Sequence, residues 1–68
     1  MHTYHIESKT GVEYGTYQAD TSAAAFAVMC RDAGYDVHVD SLDTLIYADS
    51  DTAALCGSPV DWTIYREY

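Results

Sequence analysis

The chain has 68 residues, 49% of them apolar, with eleven acidic residues against three basic ones and a net charge of −8 at pH 7. So short a polymer buries only about 60% of its unfolded surface, which leaves room for one domain, 1–68, with a single thin core. The apolar share excludes a disordered acidic tail. The charge argues against direct binding to nucleic acid or an anionic membrane, and no apolar run approaches the ~20 residues that cross a bilayer.

Residues 2–8 alternate, with Tyr4 and Ile6 on one side and Thr3, His5 and Glu7 on the other, which predicts a strand with one buried face. Lys9-Thr10-Gly11 reads as a turn. Residues 12–19 form a second strand: Val12, Tyr14, Thr16 and Gln18 make one face, and Glu13, Gly15, Tyr17 and Ala19 the other. Gly15, Tyr17 and Ala19 are placed under the following helix, since a glycine inside a strand marks close approach of another element.

The chain is organised around the next stretch. Thr21 is a good N-cap, Phe26, Met29, Cys30 and Ala33 recur at helical spacing, and Gly34 follows the last of them, which predicts a helix over 22–33. Its remaining surface carries Ala24, Ala27 and Val28 with only Arg31 and Asp32 charged, an alanine-rich face open to solvent or to self-association. Val37 and Val39 then alternate with Asp36, His38 and Asp40 in a third strand. A short fourth strand is expected at 44–48, with a helical turn as the alternative. Asp49 to Thr52 suit the cap of a short helix through Ala53, Ala54 and Leu55 ended by Gly57. The last strand alternates Val60, Trp62 and Ile64 with Asp61, Thr63 and Tyr65, which puts Trp62 and Ile64 in the core. The order β-β-α-β-(β)-β describes a single small α+β domain: an antiparallel sheet of 3–5 strands with one α-helix on one face.

The strongest chemical signal is a run of acids. From Asp32 to Tyr65 there are seven carboxylates and no lysine or arginine. Strand residues two apart share a face, so Asp36, His38 and Asp40 line up, with Asp43, Asp49 and Asp51 on adjoining loops. Such a surface suits the lysines and arginines of a basic partner, with Tyr35 and Tyr47 as aromatic anchors beside it. The competing reading is a solvated surface that serves solubility or tolerance of salt.

Nothing else in the chain supports a chemical site. Asp49-x-Asp51 lacks the rest of a calcium loop. His2 and His5 stand at an odd spacing that turns the rings to opposite sides of a strand, so neither metal nor cofactor is expected. Cys30 and Cys56 have no motif spacing and are expected as free thiols in a reducing, cytoplasmic compartment, because the first residues show no secretion signal. No nucleophile stands in a catalytic context, so no enzyme is expected.

The run from Tyr4 to Tyr35 carries Gly15-x-Tyr17-x-Ala19, the Thr21 cap, Ala23 to Ala25 and Ala33-Gly34-Tyr35, and a final Asp61-Trp62 strand follows. This pattern resembles small acidic anti-CRISPR proteins of phages and mobile elements that inhibit type I, Cascade-type CRISPR systems. The resemblance covers the first half and the last strand. It implies a non-enzymatic inhibitor in the cytoplasm of a bacterial host, bound to a Cas protein of the surveillance complex at the basic surface that receives DNA. The resemblance supplies no site residue; the acidic run itself makes Asp36, Asp40, Asp43, Asp49 and Asp51, with Tyr35 and Tyr47 beside them, the residues expected to bind the partner, and the chain is expected as a monomer. The alternative is an interaction module that dimerises through Ala24, Ala27 and Val28.

Overall fold

A tight turn starts the fold. Gly11, at φ 88°, donates its N–H to the Ser8 carbonyl at 3.0 Å, and the Ser8 hydroxyl accepts from the Val12 N–H at 3.1 Å. The computed structural model describes residues 1–67. In chain order these form β1 (His2–Ser8), β2 (Glu13–Ala19), α1 (Ser22–Asp32), β3 (Val37–Val39), β4 (Leu45–Tyr47), α2 (Ser50–Cys56), a 3₁₀ turn (Pro59–Asp61) and β5 (Trp62–Arg66). The α+β class and the antiparallel pairing are as expected. The strands, however, divide into two sheets, β2-β1-β5 and a separate β3-β4 ribbon.

The hairpin of β1 and β2 departs from simple alternation. Ile6 pairs with Gly15 but Glu7 pairs with Glu13, so Tyr14 is an extra residue in the ladder. Gly15 supplies the backbone for this bulge at φ 119°. One inserted residue exchanges the faces of everything before it. Glu13, which alternation puts on the face of Gly15, Tyr17 and Ala19, lies instead on the open face of the sheet beside His5. Tyr14, expected outside, meets Trp62 edge-on at 4.8 Å between ring centroids. Beyond the bulge the expected faces hold, with Ala19 buried and Tyr17 packed against the core.

Local chemistry sets both ends of α1. The Thr21 hydroxyl accepts from the Ala24 N–H at 3.2 Å. At the other end Ala33 is the C-cap, Gly34 takes φ 97° and donates to the Arg31 carbonyl, and Tyr35 donates to the Cys30 carbonyl at 2.9 Å, a Schellman stop. The buried face is wider than one stripe and comprises Ala25, Phe26, Ala27, Met29 and Cys30. This corrects the expected exposed face: Ala27 is fully buried, and Ala24 and Val28 are half-buried. The cause is the ribbon. Val37 of β3 is fully buried against the helix, and Arg31 reaches across to donate to its carbonyl at 2.9 Å. The helix is therefore flanked by the three-stranded sheet and the ribbon together, and the small residues allow that approach.

Phe26, Ile6 and Val37 are the largest fully buried side chains, each worth roughly 1.5–3 kcal/mol by burial. The short helix foreseen after Asp49 is present as α2, capped by Asp49 and ended by Gly57 at φ 73°. Val60, expected in the last strand, falls in the 3₁₀ turn and is 78% exposed, while Trp62 and Ile64 pack half-buried on the core. Among the described residues no helix is long and apolar enough to cross a membrane.

Candidate functional site

The acids expected to bind a partner occupy both ends of the β3-β4 ribbon. Asp40 Oδ1 accepts from the N–H groups of Leu42 and Thr44, both at 2.9 Å, which closes the turn between the two strands. Asp43 sits in that turn at φ 59°, a conformation that aspartate tolerates better than most residues, and accepts from the Thr21 hydroxyl at 2.9 Å. At the opposite end the Ala48 N–H donates to the Asp36 carbonyl at 3.0 Å, which sets Asp36 beside the start of α2. There Asp49 accepts from the Thr52 N–H at 2.8 Å, and those hydrogen bonds hold its carboxyl below the ordinary carboxylate range. Asp51 follows, exposed in the first turn of α2, where negative charge suits the helix dipole.

The structure thus brings Asp36, Asp49 and Asp51 to one end and Asp40 and Asp43 to the other, with the three-residue strands, ~10 Å of chain, between them. Asp40, Asp43 and Asp49 also stabilise local backbone or caps. Asp36 lies against His38, 2.6 Å from its Nε2, and Asp51 has no such tie. All five are exposed. Tyr35 and Tyr47 are half-buried and belong to the fold: Tyr35 packs on the core, and the Tyr47 hydroxyl donates to the Gly57 carbonyl at 2.7 Å. Burial raises the Tyr47 phenol above its ordinary pKa. Both rings are therefore only partly open to a partner.

The open face of the three-stranded sheet holds His5, which the sequence placed outward without a site around it. His5 is 6% exposed, the only buried polar side chain among the described residues. Tyr65, its cross-strand neighbour on β5, stacks on the ring at 4.9 Å. Its Nε2 lies 3.0 Å from Glu7 Oε1 and 3.1 Å from Glu13 Oε1, and its Nδ1 faces Glu67 Oε1 at 3.6 Å. Alternation assigned His5 to the outer face correctly. Its burial comes from Tyr65 and the flanking glutamates, and the available signal was the pairing of an aromatic with a histidine across strands.

A third feature is a groove of about 290 Å³ between α1, α2 and β5, lined in part by Tyr14, Tyr35, Leu55 and Trp62, with Cys30 and Cys56 at its base. Both cysteines are free and buried, as expected of free thiols. They are hydrogen-bond neighbours; burial first, and then Cys56, push the Cys30 thiol up to about 12, which makes it a poor nucleophile. The Trp62 indole N–H donates to the Cys56 carbonyl at 3.2 Å and pins α2 to β5.

Comparison with protein-family models, with curated proteins and with solved structures finds no match for this chain.

Proposed function

We propose that this protein is a non-enzymatic binding protein that presents carboxylates to a basic surface of a protein partner. The observation that carries the reading is the lack of internal compensation for its charge. Of three basic side chains, Lys9 is paired with Asp61 at 3.7 Å and Arg31 is occupied by the Val37 carbonyl, against eleven acids. The field of such a molecule accelerates encounter with a positively charged partner and weakens as salt rises.

Following the resemblance to anti-CRISPR proteins, the partner is a Cas subunit of a type I surveillance complex, and the surface is one that otherwise receives DNA. Two acidic groups separated by a short ribbon suit discrete phosphate sites, whereas a continuous backbone presents a charge every ~1.7 Å. In this reading Asp36 and Asp51 contribute most per residue, since neither is committed to a cap or a backbone turn. Asp40, Asp43 and Asp49 hold the ribbon and α2 in place while adding charge.

Capture by purified type I complexes, with and without target DNA and at low and high salt, tests the reading. Capture that DNA competes away, and that the double variant Asp36→Lys, Asp51→Lys loses while staying folded, supports it. Capture indifferent to DNA moves the contact away from the DNA site. Absence of capture across subtypes removes the CRISPR partner.

A further inference from the structure

We propose that the open face of the sheet carries a site for one first-row divalent cation, zinc above all, held by His5 Nε2, Glu7 and Glu13. This site is independent of the acidic ribbon and of the partner proposed for it.

The geometry of the donors carries the inference. Ligand atoms bound about 2.1 Å from one ion stand about 3.0–3.4 Å apart in octahedral or tetrahedral arrangements. Glu7 Oε1 and Glu13 Oε1 lie 3.0 and 3.1 Å from His5 Nε2, and the three donor atoms all fall within 4.8 Å of one another. A hydrogen bond accounts for only half of this. A single Nε2–H has one direction, so it cannot point in line at both carboxylates, and the second oxygen at 3.1 Å is an acceptor too many.

Charge points the same way. Even a protonated ring leaves three carboxylates facing one positive charge. Among the described residues no lysine or arginine pairs with Glu7, Glu13 or Glu67. A dication at Nε2 offsets one more of these charges than a ring proton does.

The surroundings resemble those of a metal-binding histidine. The far nitrogen, Nδ1, faces the Glu67 carboxylate at 3.6 Å, longer than a hydrogen bond but on the side from which a carboxylate orients a ligating ring when it closes in. Tyr65 stacked at 4.9 Å and 92% burial of the imidazole side chain hold the ring in one place. The bulge at Tyr14 brings Glu13 to this face. One imidazole and two carboxylates suit zinc or its neighbours better than magnesium or calcium, which prefer oxygen alone, and leave a fourth position for water.

The test is titration of chelator-treated full-length protein with zinc chloride, followed by native mass spectrometry and by nitrogen NMR of the histidine rings. The expected result is one ion per chain and a shift of the His5 Nε2 resonance, with His2 and His38 unmoved. His5→Ala removes a buried ring and risks the fold, so Glu13→Gln is the decisive variant, because Glu13 is 69% exposed. It should weaken binding by at least about tenfold, the loss seen even for groups that only orient a ligand, without changing the melting temperature of the ion-free protein by more than a few degrees. No binding, binding indifferent to Glu13→Gln, or an ion that leaves His5 unshifted and is lost in Cys56→Ser would each overturn the proposal.

Discussion

Glu13 lies 3.1 Å from the imidazole of His5, on a face of the sheet that strict alternation along its strand denies it. The relationship exists because Tyr14 is extra in the ladder and Gly15 accepts φ 119°. It joins two functions of one residue insertion: a carboxylate is moved onto His5, and an aromatic ring is moved onto Trp62.

Gly15→Ala therefore tests the bulge directly. There is space for a methyl group, since nothing lies within 4 Å of the position it would take. The cost is backbone strain alone, roughly 1–3 kcal/mol. Urea denaturation should show the midpoint falling with an unchanged slope, while Thr16→Ala on the exposed side changes little. An unaffected midpoint would mean that the strand passes Gly15 in ordinary extended conformation.

Thr21 has two partners: its hydroxyl accepts from the Ala24 N–H and donates to Asp43 at 2.9 Å. Thr21→Ala leaves the first turn of α1 without its cap and frees the ribbon turn. The expected loss is about 1 kcal/mol, a fall in melting temperature of roughly 4–8 °C for a domain of this size. Thr21→Ser keeps both bonds and should recover most of it. Equal losses in the two variants would rule the hydroxyl out as the cause.

Alkaline pH should destabilise the fold through its buried acids. Burial raises Cys30 from an ordinary 9.0 to about 12 and also raises Tyr17 and Tyr47 above 10.0. A group that holds its proton more tightly when folded contributes its full stability below its unfolded pKa and loses it as pH rises toward the folded value. Melting temperatures should hold up to about pH 9 and fall between 9 and 12. Cys30→Ala should make that decline shallower, and thiol reagents should label Cys30 in native protein far more slowly than after unfolding. Rapid native labelling would contradict the burial of the thiol.

Salt should stabilise this protein. With a net charge of −8 on a body of 32 × 29 × 19 Å, the dimensions of the molecule are comparable to the ~30 Å screening length that applies at 0.01 M salt, so its carboxylates repel one another. At 1 M that length is ~3 Å and the repulsion is largely removed. The attractive pairs lost to screening are few and exposed, such as Lys9 with Asp61. Melting temperature should climb with sodium chloride, and less steeply in Asp51→Asn. A flat or falling response would show that repulsion among the acids is not felt by the folded state.

The sequence by itself determined the features whose partners lie within a few residues. The Thr21 and Asp49 caps, the Gly34 stop, the turn at Gly11 and the apolar side of β1 were legible because each depends on a neighbouring backbone group or on a fixed period. The uncompensated acidity was legible too, since charge is additive and needs no fold. Tertiary structure alone decided the rest. The exchange of Glu13 and Tyr14 between faces depends on which residue of β1 stands opposite Gly15, and a period of two contains no marker for an inserted residue. The burial of Ala27 depends on the β3-β4 ribbon folding onto the second flank of α1, so an alanine that reads as exposed becomes core. His5 became buried, and Cys30 met Cys56, because segments far apart in the chain were brought into contact. Pairings of that kind are set by the lowest free energy of the whole packed chain, which no local pattern encodes.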